Sequence, residues 1–384
     1  MKYALTNCEV FTGESNYYNQ SILIDGEFIV GTVLDSEVPS DYKVVDLNGL
    51  NVAPGFIDLQ VNGGGGEFFT QSPEPSTLEA MYNAYKRYGT THTAPTVITT
   101  FEDNIHKTLD AIKIAQRDHK WGVLGMHLEG PYINVKKKGT HNVNAIRKPS
   151  NEEIQRVIDN AEGSLSIITV APEILDLEQI AMLQEAGITV SAGHTFATYE
   201  EAMKGFDNGV TMVTHLFNAM SQFNSRAPGV VGATFDTNHV YAGIIVDGMH
   251  CDYSSVRTAK RVLGEKLFLV SDSMSFVGAK TNKLVIEGTE IIFKDGRCIN
   301  SNGDFAGTSL TMLDAIQNSV NHVGIELKEA LRMASLYPAQ AIKMDHELGR
   351  IKSGYRADLA IFTNKLEVKG VVSYGELEMF SSKS

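Results

Sequence analysis

The chain reads as an α/β protein, a (β/α)8 TIM-like barrel with a small β-sandwich domain formed by both termini. Three observations predict this. Between residues 56 and 272, eight short apolar runs alternate with amphipathic stretches of helical period, the pattern of parallel strands buried on both faces and separated by helices. Most of the runs end in a polar cluster containing His, Glu, Asp or Asn, as strands do at the carboxyl face of such a barrel, where chemistry is built. Residues 1–52 and 350–384 have another texture, short strands and glycine turns without a long helical period. They are assigned to one discontinuous β domain, and residues 53–349 to the barrel.

In chain order, SILIDGEFIVGTV sets Asp25-Gly26 between two apolar stretches, the signal of a two-residue hairpin. Asn48-Gly49 and Pro54-Gly55 then mark the boundary with the barrel. Barrel strands are expected at 56–60, 90–97, 123–129, 166–170, 188–192, 210–215, 241–246 and 267–272. Helices are expected at 77–88, 102–119, 151–160, 176–186, 199–206 and 253–263. Thr198 suits the N-cap of the helix at 199–206, and Gly209 lies just past its end. The segment 281–300 reads as an inserted hairpin, after which helices over 309–323 and 327–342 close the barrel wall.

Composition narrows the function. With 384 residues, 43% of them hydrophobic and 21% charged, the chain can bury a full globular core. No apolar run approaches the ~20 residues of a membrane-spanning helix, and the start MKYALTNCEV lacks a signal-peptide pattern. Cys8, Cys251 and Cys298 form no CxxC pair, so neither a disulfide framework nor a zinc ribbon is indicated. A reducing, cytoplasmic location is expected. A net charge of −13 argues against nucleic acid or an anionic membrane as partner. An anionic small molecule would need a local cluster of positive charge. Lys136-Lys137-Lys138, the only basic run, reads as a solvated loop.

The chemistry is sought at the strand ends. His194 and His215 each follow an apolar run, with a helix between them, so they sit at equivalent ends of a βαβ unit. Either alone reads as a hydrogen-bonded core histidine; as a pair, the core and ligand readings balance. HLEGP at the third strand end tips that balance. Alternation puts His127 and Glu129 on one side of the strand, and one carboxylate with two imidazoles is a catalytic zinc set with a position open for water. The alternative for Glu129 is a structural ion pair. Asp272, at the eighth strand end, is placed to take a proton from water; its alternative is a helix N-cap, weakened because SMSFVG does not resemble a helix start.

Taken together, APGFIDLQVNG, HLEGPY, KKGTHN, SAGHT, THLFNAM, VDGMH, VSDSM, AGTSLTM and ASLYPA resemble the amidohydrolase superfamily, and specifically the N-acetylglucosamine-6-phosphate deacetylases, over essentially the whole chain. The resemblance implies that Glu129, His194 and His215 bind one divalent metal ion per chain, most simply zinc. It implies that Asp272 is the general base that later protonates the leaving amine, and that His141 polarises the acetamide carbonyl. Thr140, Asn218, Ala219, Arg226, His250, Ala306, Gly307 and Thr308 match positions that hold a small-molecule sugar phosphate. It further implies a homodimer in which Arg226 and His250 act across the interface. Without the resemblance, His141 and Arg226 read as solvated loop residues.

One departure stands out. Many superfamily members carry His-x-His at the first strand end and bind a second metal there, where this chain has Gln60 and Asn62. Neutral amides are poor ligands for a transition metal, so a single-metal site with a vestigial second position is expected. The rival readings are a cyclic amidase or deaminase of the same superfamily, and a barrel that has lost its chemistry.

Overall fold

Eight parallel strands form a nearly closed TIM-like barrel: β1 (Phe56–Val61), β2 (Thr90–Ile98), β3 (Met126–Glu129), β4 (Leu165–Val170), β5 (Thr189–Ala192), β6 (Val210–Val213), β7 (Tyr241–Ile244) and β8 (Leu267–Leu269). The structure, a computed structural model, describes all residues except 119–120, 287–288, 295, 301–302, 304–305 and 382–384. Each barrel strand is hydrogen-bonded to the next in sequence. The ring closes past the end of β8, where Ser273 bridges Val61 and the Asp272 N–H donates to the Gln60 carbonyl. Val97, Leu128, Ile168, Val190, Val213, Ile244 and Leu269 are buried, as strands covered on both faces require.

Between β5 and β6, helix Tyr199–Asp207 begins with a capping box in which Thr198 accepts from the Glu201 N–H, and the Glu201 side chain reaches back to the Thr198 N–H. Gly209 follows it at φ +117°. The helix expected at 102–119 spans Glu102–Arg117, and residue 119 lies outside the described residues.

Several sequence expectations need correction. The third strand starts at Met126, not at 123, because Gly122 and Gly125 take φ of +60° and +126° and leave Val123 only an isolated bridge to Thr93. The helix expected over 327–342 is two, Leu327–Met333 and Leu336–Ala341. Pro338 has no N–H for the Ala334 carbonyl and its ring would clash with it, so one continuous helix is unavailable. The insertion is three antiparallel strands, Lys283–Ile286, Thr289–Lys294 and Arg297–Asn300, not a hairpin; residues 287, 288 and 295 of the segment lie outside the described residues. Asn48-Gly49 does not end a strand. It forms a left-handed bulge inside Lys43–Pro54, where the register against the first strand shifts.

The two ends of the chain meet in an eight-stranded sheet. Its centre pairs Lys2–Phe11 parallel with Lys43–Pro54, and Leu359–Phe362 antiparallel with the latter. Alternation gives this sheet two buried faces. Leu5, Val52, Leu359 and Ile361 join one apolar cluster, while Phe11, Ala53, Ala360 and Phe362 join the core of the barrel. The Gly55 N–H donates to the Asp358 carbonyl just before β1 begins. The sheet therefore covers the amino end of the barrel and leaves the carboxyl ends of its strands open. Among the described residues, no helix is long and apolar enough to cross a membrane.

Candidate active site

Glu129 is the last residue of β3, and His194 and His215 each lie two residues beyond the ends of β5 and β6. His194, His215 and Asp272 all adopt left-handed backbone, at φ +48°, +32° and +49°. Such conformations are costly for residues other than glycine and concentrate at functional sites. Here they turn the chain at the strand end and aim each side chain over the mouth of the barrel.

The three groups form a tight triangle. His215 Nε2 is 3.0 Å from Glu129 Oε1, His194 Nε2 is 3.3 Å from the same oxygen, and the two Nε2 atoms are 3.1 Å apart. His194 Nδ1 lies 2.7 Å from the Lys137 carbonyl, which can only accept, so the proton is on Nδ1 and Nε2 presents a lone pair. A lone pair facing a carboxylate and a second imidazole is the donor arrangement of a cation site. A tetrahedral ion with bonds of ~2.0–2.1 Å needs ligand atoms roughly 3.3 Å apart, and the observed triangle has nearly that edge. The residues fit a divalent metal. Burial pushes the Glu129 carboxyl up, but the adjoining His194 and His215 side chains outweigh it and hold it well below the usual carboxylate range.

His141 completes the cluster, since its ligand atom lies within 4.8 Å of those of Glu129 and His194, but its hydrogen bonds give it another character. The Thr99 N–H donates to His141 Nδ1 at 3.3 Å and the Thr99 hydroxyl lies 2.7 Å from the same atom. Nδ1 is therefore an acceptor and Nε2 carries the hydrogen, pointing across 4.0 Å to Glu129 Oε2. Burial and the neighbouring His194 hold this imidazole well below its ordinary pKa. A neutral ring with Nε2–H outward is a hydrogen-bond donor to a substrate oxygen.

Gln60 and Asn62 are buried at the closure of the barrel. The Gln60 amide donates to both Glu129 Oε1 (3.0 Å) and Asp272 Oδ1 (3.2 Å), and the Asn62 amide donates to Asp272 Oδ1 at 2.8 Å. Amide N–H groups thus hold the two carboxylates that a second cation would otherwise hold together. Asp272 is pushed up to about 6 by burial and then by the Glu129 charge, with His215 and the Asn62 hydrogen bond pulling the other way. A carboxylate near neutrality can both accept and return a proton.

Above these groups lies a pocket of about 570 Å³. Thr140, Asn218, Ala219, His250 and Gly307 line it. The His250 Nδ1 sits 2.6 Å from Asp247 Oδ2, which orients the ring. Three expected residues do not reach the pocket of this chain. Arg226 is exposed on a turn bridged between Asn224 and Ala227. Ala306 and Thr308 are buried; Thr308 is tied to the strand end through its hydroxyl, donating to the Ser271 carbonyl at 2.7 Å, so it supports Asp272 from behind.

His127, set by alternation on the side of Glu129, is a hydrogen-bonded core histidine, held by the Leu59 carbonyl at 2.8 Å and the Thr169 hydroxyl at 2.7 Å. Other residues were not anticipated. The hydroxyls of Thr169, Thr214 and Ser191 follow in a chain at 2.6 Å steps. Asp58, fully buried, accepts from the Ser271 hydroxyl and from the Gln60 and Ser271 N–H groups, pinning β1 to the end of β8. The apolar wall of Phe68, Ile98, Met274, Ile286 and Ile291 is partly supplied by the inserted strands. Small hydroxyl residues at inward-facing strand positions are the one sequence signal that would have found the first group.

A barrel with a carboxylate–diimidazole triangle at its strand ends, and a proton-accepting aspartate beside it, defines a metal-dependent hydrolase. The chain belongs to the amidohydrolase family, whose pattern matches residues 51–377, and it carries a NagA composite domain over residues 2–52. It is 40% identical over 379 residues to the N-acetylglucosamine-6-phosphate deacetylase of Haemophilus influenzae, covering 98% of this chain and 99% of that protein. It is 35% identical to the N-acetylgalactosamine-6-phosphate deacetylase of a Shewanella strain, over 90% of this chain and 88% of that one. The crystal structure of N-acetylglucosamine-6-phosphate deacetylase from Pasteurella multocida superposes with a TM-score of 0.96 at 39% identity, covering 99% of this chain and 100% of that one.

Proposed function

We propose that the enzyme hydrolyses the acetamide of N-acetylglucosamine 6-phosphate to glucosamine 6-phosphate and acetate, a step of amino-sugar catabolism. The observation that carries this reading is Asp272, held by two amide donors beside the Glu129–His194–His215 triangle and opposite the outward Nε2–H of His141. One zinc ion per chain, held by those three residues, would supply Lewis acidity, acidifying water and polarising the amide carbonyl. Asp272 takes the proton of the attacking water and returns it to the departing nitrogen. His141 donates to the carbonyl oxygen as negative charge develops there, the kind of preorganised donor that is usually the largest catalytic contribution. Thr140, Asn218, Ala219 and Gly307 bound the sugar, and His250, oriented by Asp247, is the donor assigned to the phosphate.

Arg226 belongs to the same reading through a homodimer, in which a second copy would bring its guanidinium to the phosphate. Residues 1–52 and 350–384 are read as one small domain and 53–349 as the catalytic one, in a cytoplasmic enzyme. A cyclic amidase or deaminase would not need a phosphate site, and a scaffold without chemistry would not need the amide-held Asp272.

The test is acetate release from N-acetylglucosamine 6-phosphate against the unphosphorylated sugar and the galactosamine epimer. The glucosamine phosphate is expected to be hydrolysed with by far the highest kcat/KM. Equal efficiency with the unphosphorylated sugar would overturn the reading. Arg226→Ala is expected to raise KM for the phosphorylated substrate alone by roughly 10–100-fold, as loss of a charge-assisted contact implies.

A further inference from the structure

A second cleft, of about 580 Å³, lies on the outer wall of the barrel between helix Tyr253–Leu263 and helix Leu327–Met333, and it shares no lining residue with the catalytic pocket. Arg257, Lys260 and Arg261 line one side of it and Arg332 the other. The first three occupy positions i, i+3 and i+4 of one helix, so their side chains rise from a single face. Like charges at that spacing repel, and they do so in a protein whose net charge is −13.

Internal pairing does not neutralise the group. Glu329 is the carboxylate shared by Lys260 and Arg332, both of which bond to it directly, and Tyr337 adds a hydrogen bond at 2.9 Å. The carboxylate of Glu326 is taken by Lys328 at 3.1 Å. The Arg257 guanidinium meets two backbone carbonyls, with Nε 2.9 Å from that of Val323 and Nη2 3.0 Å from that of His322. Those bonds fix its plane without cancelling its charge. Arg261 is exposed. Four cations therefore face two carboxylates, Glu329, on which two of them are anchored, and Glu326, which is paired with Lys328; a third cation is held by carbonyls, over a floor that includes Val323 and Ile325.

We infer that this cleft is a binding site for a small phosphate-bearing anion, separate from the substrate site. Guanidinium forks suit the oxygen atoms of a phosphate, and preorganised cations with excess positive charge draw an anion out of proportion to the charge of the whole molecule. The apolar floor would accommodate the organic part of a phosphorylated metabolite.

The probes are inorganic phosphate in solution and tungstate, its electron-dense analogue, soaked into crystals. The metal-loaded enzyme is expected to show tungstate between Arg257 and Arg261, and to bind phosphate in a manner that weakens with salt. Arg261→Glu, at an exposed position, is expected to weaken that binding by about tenfold or more, with the melting temperature and basal kcat unchanged. His250→Ala, in the catalytic pocket, is expected to leave tungstate in the cleft. Absence of tungstate from the cleft, phosphate affinity indifferent to Arg261→Glu, or binding only to a polyanion such as heparin would each overturn the inference.

Discussion

His141 and His194 carry their hydrogens on opposite ring nitrogens, and that difference divides their labour. The Lys137 carbonyl places the proton of His194 on Nδ1, whereas Thr99 makes the Nδ1 of His141 an acceptor. Thr99→Val removes the shorter of the two contacts on His141 Nδ1 and keeps the backbone N–H, so it is expected to lower kcat modestly with metal content unchanged, because the ring is held less firmly while the triangle stays intact. Equal activity in that variant would mean that the Thr99 N–H alone is enough to hold the His141 tautomer. Gln60→Met removes the donor shared by Glu129 and Asp272. Loss of such an orienting partner typically costs roughly 10–100-fold in activity or metal affinity, and kinetic assay with elemental analysis would separate the two. The residue types at the strand ends were legible in the sequence because several carboxylates and imidazoles follow apolar runs together, whereas any one alone, as His127 shows, can be a core residue. The protonation pattern was not, because Thr99 and Lys137 are distant in sequence from the histidines they set.

Elements were legible where one local rule acted alone. Thr198 as N-cap and Gly209 past the end announced the helix at Tyr199, and the structure adds a capping box with Glu201. Errors arose where tertiary geometry overrode an apolar run. Val123 and Leu124 are apolar, yet Gly125 at φ +126° passes so close to β4 that an added Cβ would lie 2.0 Å from Ser166 Oγ. Gly125→Ala is therefore expected to destabilise the protein by ~1–3 kcal/mol, read as a lower denaturant midpoint. A midpoint equal to wild type would mean that the turn can relax. Asp58 acts at the junction of β1 and β8, where burial pushes it up to about 7 against hydrogen bonds from Ser271 and Gln60. A carboxyl raised on folding contributes stability that is full below its unfolded pKa, near 4, and lost as pH rises through about 7. Asp58→Asn should flatten the stability profile between those values, which thermal melts across the range would show.

At the scale of the whole molecule, the terminal sheet explains why the chemistry has one place to go. Alternate residues of Lys43–Pro54 and Leu359–Phe362 feed two different cores, so the sheet is bonded to the amino end of the barrel and cannot cap the other. The texture of the two chain ends revealed that sheet, but nothing local revealed that its central strands are buried on both faces. Gln60 and Asn62 spend their donors on Glu129 and Asp272, and on the proposed reading this leaves the carboxyl end a single metal position. Purified enzyme should contain one metal ion per chain by elemental analysis, and a stoichiometry near two would show that these amides do not exclude a second. The central claim is that Asp272 moves the proton without holding the metal. Its most direct test is metal content, KM and kcat of Asp272→Asn with N-acetylglucosamine 6-phosphate. The account predicts retained metal, a KM close to wild type and a kcat lower by ~10²–10⁴-fold; near-normal turnover, or loss of the metal with the carboxylate, would contradict it.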